Sequence, residues 1–338
     1  MMSLMRLFER VQGIKILKIG LTIFFFLALS DMWTSEVKAQ TYPTRPITLI
    51  YPWPAGAVAD IFSRGIAPQL KEKLGAPVET VTKPGGSATI GTLEVMRARP
   101  DGYTLLLDVP GSSSIQKAWM TELPYRVEER TFIAYVGFLP TAIVVRSDYP
   151  WKNLMDVEQA IRRDPASIRW PMCGTSHPEV AMGLFRAALT ARGINLSQTK
   201  KVPFQGASQA YIALAGGHVD IYSGSIGGTG ALIEAGKLRA IAVASNQRVK
   251  FFPGVPTTGE QGFPNVVANM WIGITGPPRL PEIVVRKWID AMSAIVKDPA
   301  MVPTFDKLGI VPDFLGGDDF RKFVMNEAEI IKGIGLVK

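Results

Sequence analysis

The sequence predicts an α/β protein, because short apolar segments alternate along the chain with amphipathic helical segments. The apolar segments form near-continuous runs, as strands buried on both faces do, which favours α/β layers with a mostly parallel sheet. Turns rich in Gly, Ser, Thr or Pro follow the strands before the next helix begins. At 338 residues the chain is long enough for two ordinary domains or one large one.

Apolar runs predict the strands, at 47–53, 77–83, 103–109, 142–148, 167–173, 220–226, 238–245 and 270–276. Helical periodicity lies between them, at 60–75, 177–193, 207–217, 230–237 and 281–298. In the first helical segment, apolar residues recur at four-residue spacing: Phe62, Ile66, Leu70 and Leu74. Pro68 lies inside this segment, so we expect it to kink the helix or to displace its first turn.

Residues 1–39 are predicted to be a secretory signal peptide. Basic residues between 6 and 18 precede an apolar segment, 19–30, that is too short to span a bilayer. Val37, Lys38 and Ala39 then provide small residues at the positions that a signal peptidase recognises, so cleavage is predicted before Gln40. An uncleaved membrane anchor is the alternative. Without one, the mature protein is expected to be soluble and exported.

Composition limits the class of function. Apolar residues make up 47% of the chain and charged residues 20%, so a sizeable core is expected. The chain has 37 Lys and Arg against 29 Asp and Glu, but no basic block, which favours anionic ligands over nucleic acid. Cys173 is the only cysteine, so an internal disulfide and a zinc–thiolate cluster are excluded. No metal or P-loop motif occurs, and no cofactor is expected.

Small and hydroxylated residues fill six strand-to-helix loops, at 52–60, 83–91, 109–114, 173–179, 203–209 and 223–228. In open α/β sheets, ligands bind outside the carboxyl ends of the strands. Each such loop can present unpaired backbone N–H groups at the positive end of a helix dipole, where a carboxylate or phosphate is stabilised. A single loop of this kind is usually structural, since Gly and Ser are ordinary turn and cap residues. Six of them together favour anion binding.

An ordered series of segments resembles the Bug (TctC-type) periplasmic solute-binding proteins of the tripartite tricarboxylate transporter group. The similarity runs from about Tyr42 to the C-terminus, and PDGYTL (100–105) and PGVPTTGEQGFP (253–264) are its distinctive motifs. The segments are YPTRPITLIYPWPAGAVADIFSR, VTKPGGSATIG, RPDGYTLLL, VPFQG, LAGGHVD, AGKLRAIAVAS and FPGVPTTGEQGFP.

The resemblance implies a type II periplasmic-binding-protein fold, in which two α/β lobes are joined by two crossing strands and a carboxylate is held between them. Lobe one would contain residues 40–142 and 270–338, and lobe two residues 143–269. The crossings would lie near Ala142–Val145 and Trp271–Ile274. The protein would be a periplasmic monomer that delivers a small organic carboxylate to membrane subunits of a tripartite tricarboxylate transporter.

The resemblance also implies a ligand site formed largely by main-chain donors and bound waters. Candidate ligand-binding residues in lobe one, including one from the 109–114 loop, are Trp53, Ala57, Val58, Ala59, Asp60, Gly85, Gly86, Ser87, Ala88 and Ser112. Those in lobe two are Thr175, Ser176, His177, Phe204, Gln205, Gly206 and Ala207. Bulky substitution at Ala57 or Ala59 is expected to weaken binding and leave the fold intact. Trp53 and Phe204 either form the floor of the cleft or pack into the core.

The sequence departs from the family pattern inside these loops. Family members commonly have P-F-A-A-G-G where this chain has Pro52-Trp53-Pro54-Ala55-Gly56-Ala57, so Pro54 removes an N–H donor. Lys83 replaces an arginine, and Phe204-Gln205 replaces Tyr-Lys. These changes favour a less polar acid, such as an aromatic one, over citrate.

Several roles stay open at this point. Asp60 suits either the N-cap of its helix or a contact to the ligand through water or an ammonium group. His177 suits either donation to a ligand carboxylate or a capping role. A serine hydrolase built from Ser225, Asp220 and either His177 or His218 is the alternative activity. A sensor that presents its closed form to a membrane receptor is the alternative use of binding.

Overall fold

The computed structural model describes residues 42–173, 176–204 and 207–334. The predicted signal peptide and three candidate site residues, Thr175, Gln205 and Gly206, lie outside the described residues. Within that part of the chain, none of the helices combines the length and the apolar character needed to cross a bilayer.

A mixed six-stranded sheet, called here the large sheet, has the strand order β11-β4-β10-β3-β1-β2. Strand β1 pairs in parallel with β2 and β3, whereas β10 pairs antiparallel with β3 and β4, and β11 antiparallel with β4. The strands are β1 (Ile47–Tyr51), β2 (Val78–Thr82), β3 (Thr104–Asp108), β4 (Thr131–Leu139), β10 (Met270–Gly276) and β11 (Val311–Gly316).

Two smaller sheets lie between β4 and β10 in the chain. The antiparallel sheet has the order β8-β5-β9, and the two-stranded sheet pairs β6 with β7 in parallel. Their strands are β5 (Thr141–Arg146), β6 (Arg169–Met172), β7 (Lys200–Pro203), β8 (Ile221–Ser225) and β9 (Leu238–Val243). The expectation of a mostly parallel sheet is therefore wrong. Long apolar runs indicate burial on both faces and do not determine strand direction.

The α-helices of the described chain run between these strands. They are α1 (Val58–Gly65), α2 (Ala67–Leu74), α3 (Thr89–Arg97), α4 (Ser114–Trp119), α5 (Leu154–Arg163), α6 (His177–Ala191), α7 (Ala207–Ala215), α8 (Ile226–Glu234), α9 (Glu282–Lys297), α10 (Val302–Leu308) and α11 (Gly317–Gly333). The predicted break near Pro68 is confirmed, since α1 ends at Gly65 and Pro68 lies in the first turn of α2. The four apolar residues predicted on one face, from Phe62 to Leu74, are all buried.

The chain passes between sheets twice. Strand β4 belongs to the large sheet and β5 to the antiparallel sheet, with Pro140 alone between them. The return runs from β9 to β10, where the Ala268 N–H donates to the Ala244 carbonyl at 3.0 Å. The lobe boundaries given above stay a prediction.

Burial of large side chains holds these layers together. The largest buried cluster surrounds the antiparallel sheet and includes Trp170, Phe185 and Phe263. A second cluster lies against the large sheet, where the Trp271 and Phe320 rings are 5.3 Å apart in an edge-to-face arrangement. Ile115 of α4 belongs to the first cluster, so the loop after β3 is packed to the core of the antiparallel sheet.

Candidate ligand-binding site

Three of the predicted loops meet at one edge of the large sheet. Because β1 is parallel to β2 and β3, the loops that follow these strands emerge at the same edge. A Cβ added at Gly91 would lie 2.7 Å from the Lys83 carbonyl and 3.0 Å from the Pro52 side chain. A Cβ added at Gly111 would lie 2.7 Å from the Trp53 ring. These close approaches require glycine and bring the loops into contact.

In the first loop, Asp60 has a structural role that differs from the predicted N-cap. Ala57 is the N-cap of α1, and Asp60 lies in the first turn. Its Oδ2 accepts from the Gly56 N–H at 3.0 Å, and its Oδ1 accepts from Arg64 Nε at 2.8 Å. Asp60 is buried, so this carboxylate anchors the turn at Gly56, whose φ is +91°. Since Arg64 balances its charge, Asp60 does not need a ligand cation.

Within the described residues, the N-terminus of α1 has no side-chain cap, because Ala57 makes no cap hydrogen bond. The N–H groups of Val58 and Ala59 have no partner within the helix. Ala59 is fully buried, however, so the expectation that it tolerates a bulky side chain is wrong. The same expectation for Ala57, which is only half-buried, is compatible with the structure.

The second loop has an unusual backbone. Gly85, Gly86, Ser87 and Ala88 all have positive φ, with Ser87 at +51° and Ala88 at +74°. A left-handed conformation at a non-glycine residue costs on the order of 1–3 kcal/mol, so the surroundings must impose it. Gln116 is part of those surroundings, because its Nε2 donates to the Ser87 carbonyl at 2.7 Å. Ala88 is also the N-cap of α3 and makes no side-chain cap hydrogen bond.

In the third loop, the serine hydroxyls are committed to a buried ion pair. Asp108 and Arg130 are 3.0 Å apart, and both side chains are almost fully buried. Ser112 and Ser113 each donate to Asp108 at 2.6 Å, and Thr275 donates to it at 3.1 Å. The Ser112 side chain, a candidate for ligand binding, is therefore buried within this network. Sequence patterns did not identify Arg130, which lies 22 residues from Asp108 in the chain.

Two side chains of the first two loops differ in whether their polar groups already have a partner. The Trp53 Nε1–H is buried and has no hydrogen-bond partner in the described chain. A ligand oxygen would satisfy it, because an unpaired buried donor is unfavourable. Lys83 instead forms an exposed ion pair with Glu94, at 2.6 Å. Its ammonium group is thus partly neutralised within the protein.

His177, at the first position of α6, is held neutral. Burial lowers the pKa of its ring to about 4, and a hydrogen bond to the Asn269 backbone offsets only part of that shift. Its Nε2 is buried and has no hydrogen-bond partner in the described part of the chain. A neutral imidazole has one donor and one acceptor nitrogen, so His177 provides a polar contact and no positive charge for an anion.

The start of α6 is fixed by Glu179, which sequence analysis did not single out. Glu179 is fully buried, and its Oε1 accepts from the Cys173 N–H at 2.9 Å and from the Tyr222 hydroxyl at 3.3 Å. Burial raises the pKa of Glu179 despite the nearby Arg186. Ser176 precedes the helix as its N-cap without a side-chain cap hydrogen bond. Pro178 has no N–H, and the Glu179 N–H donates to the Ser176 carbonyl at 3.1 Å, which leaves His177 to provide an amide in the first turn of α6.

The remaining lobe-two candidates lie at the start of α7. The Phe204 N–H donates to the Met172 carbonyl at 2.8 Å, and the Phe204 ring packs partly against the large core cluster. Ala207 begins α7. His177 connects this region to the large sheet, because its ring is hydrogen-bonded to the backbone of Asn269, which immediately precedes β10.

The hydrolase alternative requires Asp220 to orient a histidine. The Asp220 carboxylate instead accepts hydrogen bonds from Tyr149 and from Arg169, including the Arg169 N–H at 2.6 Å. His177 is bonded to the Asn269 backbone. Ser225, Asp220 and His177 therefore do not form a catalytic relay in the described residues.

A family model described as "Tripartite tricarboxylate transporter family receptor" (TctC) matches residues 62–336. A UPF0065 protein of Bordetella pertussis is 31% identical over 310 residues, which cover 90% of this chain and 94% of that protein.

Solved structures agree in fold. The periplasmic binding protein BugD superimposes with a TM-score of 0.70 at 28% identity, over 87% of this chain and 99% of BugD. MatC from Rhodopseudomonas palustris, solved with bound malate, has a TM-score of 0.70 at 24% identity, over 87% of this chain and 99% of MatC. The predicted periplasmic-binding-protein fold is thereby confirmed. The chain belongs to the TctC family of tripartite tricarboxylate transporter receptors, the Bug-type solute-binding proteins that its sequence resembles.

Proposed function

We propose that this protein captures a small organic carboxylate in the periplasm, closes around it by a hinge motion and delivers it unchanged to a membrane transporter. The observation that carries the proposal is the N-terminus of α1, where Ala57 makes no side-chain cap hydrogen bond and the Val58 and Ala59 N–H groups have no partner within the helix. The helices α3, α6 and α8 also begin without a side-chain cap at predicted loops, although in α3 the Thr89 and Ile90 N–H groups already donate to the Gly86 and Gly85 carbonyls. The helices α2, α9, α10 and α11 also begin without a side-chain cap, so the position of α1 at the carboxyl edge of the large sheet is what favours it as an anion site.

Neutral donors are well suited to hold the carboxylate. The amides at an uncapped helix start carry partial positive charge and are oriented by the helix itself, so they stabilise an anion at low entropic cost. The side-chain cations near the loops are already paired, Arg64 with Asp60, Lys83 with Glu94 and Arg130 with Asp108. A site formed by amides also allows the ligand to be released, because no strong buried ion pair between protein and ligand has to be broken.

The side chains around these amides favour a ligand with an apolar body. Trp53 and Phe204 are both only partly buried, and Trp53 retains an unpaired donor. His177, held neutral, does not add a charge for a second carboxylate. An aromatic or other weakly polar monocarboxylate satisfies these groups better than citrate does.

The proposal includes export through the predicted signal peptide, with cleavage before Gln40, and transfer to subunits of a tripartite tricarboxylate transporter. The TctC family assignment supports the transporter partner. A sensor role, in which the closed form binds a membrane receptor, uses the same site. Capture of membrane proteins on immobilised receptor, with and without ligand, separates transporter subunits from a receptor.

A thermal-shift screen of mono- and dicarboxylates tests the binding proposal. We expect at least one acid to raise the melting temperature, because a ligand that binds the folded state stabilises it. Mass spectrometry of the released ligand should recover it unchanged, and a serine-directed reagent should leave Ser225 unlabelled. Absence of any shift across a broad panel of organic acids would contradict the proposal.

A further inference from the structure

A second concave site lies apart from the loops described above. A pocket of about 460 Å³ opens between β4, α6, α11 and the turn at 245–247. Its walls, as far as the described chain forms them, contain none of the candidate ligand-binding residues. A volume of this size is typical of sites for small organic molecules.

The apolar walls of the pocket are partly aromatic. Tyr135 and Phe138 of β4 line it together with Phe323 of α11, and the Tyr135 and Phe323 rings are 5.2 Å apart. Val180 and Leu184, one turn apart on α6, form the facing side. Aromatic faces attract a desolvated cation as well as an apolar group.

The titratable groups that line the pocket are acids. Glu327 and Asp313 line it, and its lining in the described chain contains no Lys, Arg or His. Both carboxylates lie close to Tyr135, whose pKa is raised first by burial and then by these two charges. The pocket therefore opposes anions and favours a cation, unlike the candidate carboxylate site.

Glu327 is held with one oxygen available. Its Oε2 accepts from Ser114 Oγ at 2.5 Å and from Trp271 Nε1 at 2.7 Å. Both bonds go to the same oxygen, which leaves Oε1 for another partner. The residue is partly exposed to the pocket, yet burial around its carboxyl group raises the pKa of Glu327 to about 7. This acid lacks a cation partner in the described chain.

Asn269 adds a second unused acceptor. Its side chain lines the pocket, and its Oδ1 is buried with no hydrogen-bond partner among the residues that the structure describes. Asn269 immediately precedes β10, two residues before Trp271 in the chain. Since Trp271 contacts Glu327, the two unused acceptors belong to one region.

We propose that this pocket binds a small organic cation, a primary amine with an aromatic body, independently of the carboxylate site. The ammonium group donates to Glu327 Oε1 and Asn269 Oδ1, and the aromatic body packs between Tyr135, Phe138 and Leu184. Segments on both sides of the two passages between sheets line the pocket. Strand β4 precedes these passages, α6 and the 245–247 turn lie between β4 and β10, and α11 follows them.

Calorimetric titration with 2-phenylethylamine tests the proposal, and 2-phenylethanol is the neutral control of similar shape. We expect the purified protein to bind the amine with a Kd below ~10 mM and the alcohol at least about tenfold more weakly. Glu327→Gln keeps an acceptor for Ser114 and Trp271 but removes the charge, so it should weaken amine binding at least about tenfold.

Two further variants keep the test specific. Glu329→Gln removes an exposed acid from the same helix and should leave amine affinity unchanged. Ile330→Trp places a bulky ring at a lining position that is 48% exposed, and should block the amine without unfolding the protein. Equal binding of amine and alcohol, no amine binding, or unchanged binding in folded Glu327→Gln would each overturn the proposal. None of these outcomes affects the carboxylate screen, so the two proposals fail separately.

Discussion

Gln116 and Ser87 join two of the ligand-site loops through one hydrogen bond, from Nε2 of the glutamine to the backbone carbonyl of the serine, at 2.7 Å. Gln116 is almost fully buried on α4, and Ser87 lies in a run of four residues with positive φ. The oxygen of the same Gln116 amide accepts from the Tyr125 hydroxyl at 2.7 Å. The buried Gln116 side chain thus holds the strained 85–88 backbone through its hydrogen bond to the Ser87 carbonyl.

Gln116→Leu should weaken carboxylate binding by at least roughly tenfold and reduce the free energy of unfolding by about 1–3 kcal/mol, because the Ser87 carbonyl loses its donor. Thermal-shift titration and urea unfolding measure the two effects. Tyr125→Phe is the matched control, since it removes the other partner of Gln116 and keeps the bond to Ser87. Unchanged affinity in Gln116→Leu would show that the 85–88 backbone does not contact the ligand.

Asp60→Ala should loosen the first loop, because Gly56 loses the acceptor of its N–H. We expect a loss of about 1–3 kcal/mol in unfolding free energy and weaker binding. Asp60→Asn retains an acceptor for Gly56 and should bind within about threefold of the wild type. If Asp60→Asn instead bound an anionic ligand much more tightly, the carboxylate would be acting on the ligand directly.

Ala57→Leu should weaken binding at least about tenfold, since the N-cap of α1 lies beside the amides proposed to hold the carboxylate. The fold should persist, because Ala57 is only half-buried. Ala55→Leu, at an exposed position of the same loop, serves as the control and should bind normally. Equal affinities of the two variants would show that the ligand does not contact this helix start.

His177 should make stability depend on pH. Its pKa is about 4 in the folded protein and near 6.5 when unfolded, so between these values the unfolded chain binds a proton that the folded chain does not. The stability that neutral His177 contributes is present above pH 6.5 and is lost as the pH falls towards 4. Relative to His177→Gln, the wild type should lose about 2–3 kcal/mol between pH 7.5 and pH 4.5. Parallel urea-unfolding profiles for the two proteins would contradict this.

Arg130→Met should destabilise the protein by about 3–5 kcal/mol, because Asp108 is left as a buried, uncompensated charge. Arg126→Met removes an exposed arginine nearby, paired with Glu128, and should cost less than about 1 kcal/mol. Chemical unfolding of both variants measures the difference. If both variants lost a similarly small free energy of unfolding, the serine and threonine donors alone would be sufficient to stabilise the Asp108 charge.

The local features of the fold were predictable where the pattern was strong. The face from Phe62 to Leu74 and the break near Pro68 follow from spacing and from the chemistry of proline. Strand β4 was not predicted, although its segment is largely apolar. Strand β11 was not predicted either, because it lies at the edge of its sheet, contains Pro312 and has no fully buried residue.

Sequence alone determined the α/β class, the family resemblance and the loops in which small residues precede a helix, because these properties depend on neighbours in the chain. Only the tertiary structure decided which groups in those loops are free. Ser112 and Asp60 both resemble ligand contacts in the sequence, but Asp108 and Arg64 occupy them in the fold. Burial then sets the protonation of His177 and Glu327, since desolvation depends on residues distant in the chain.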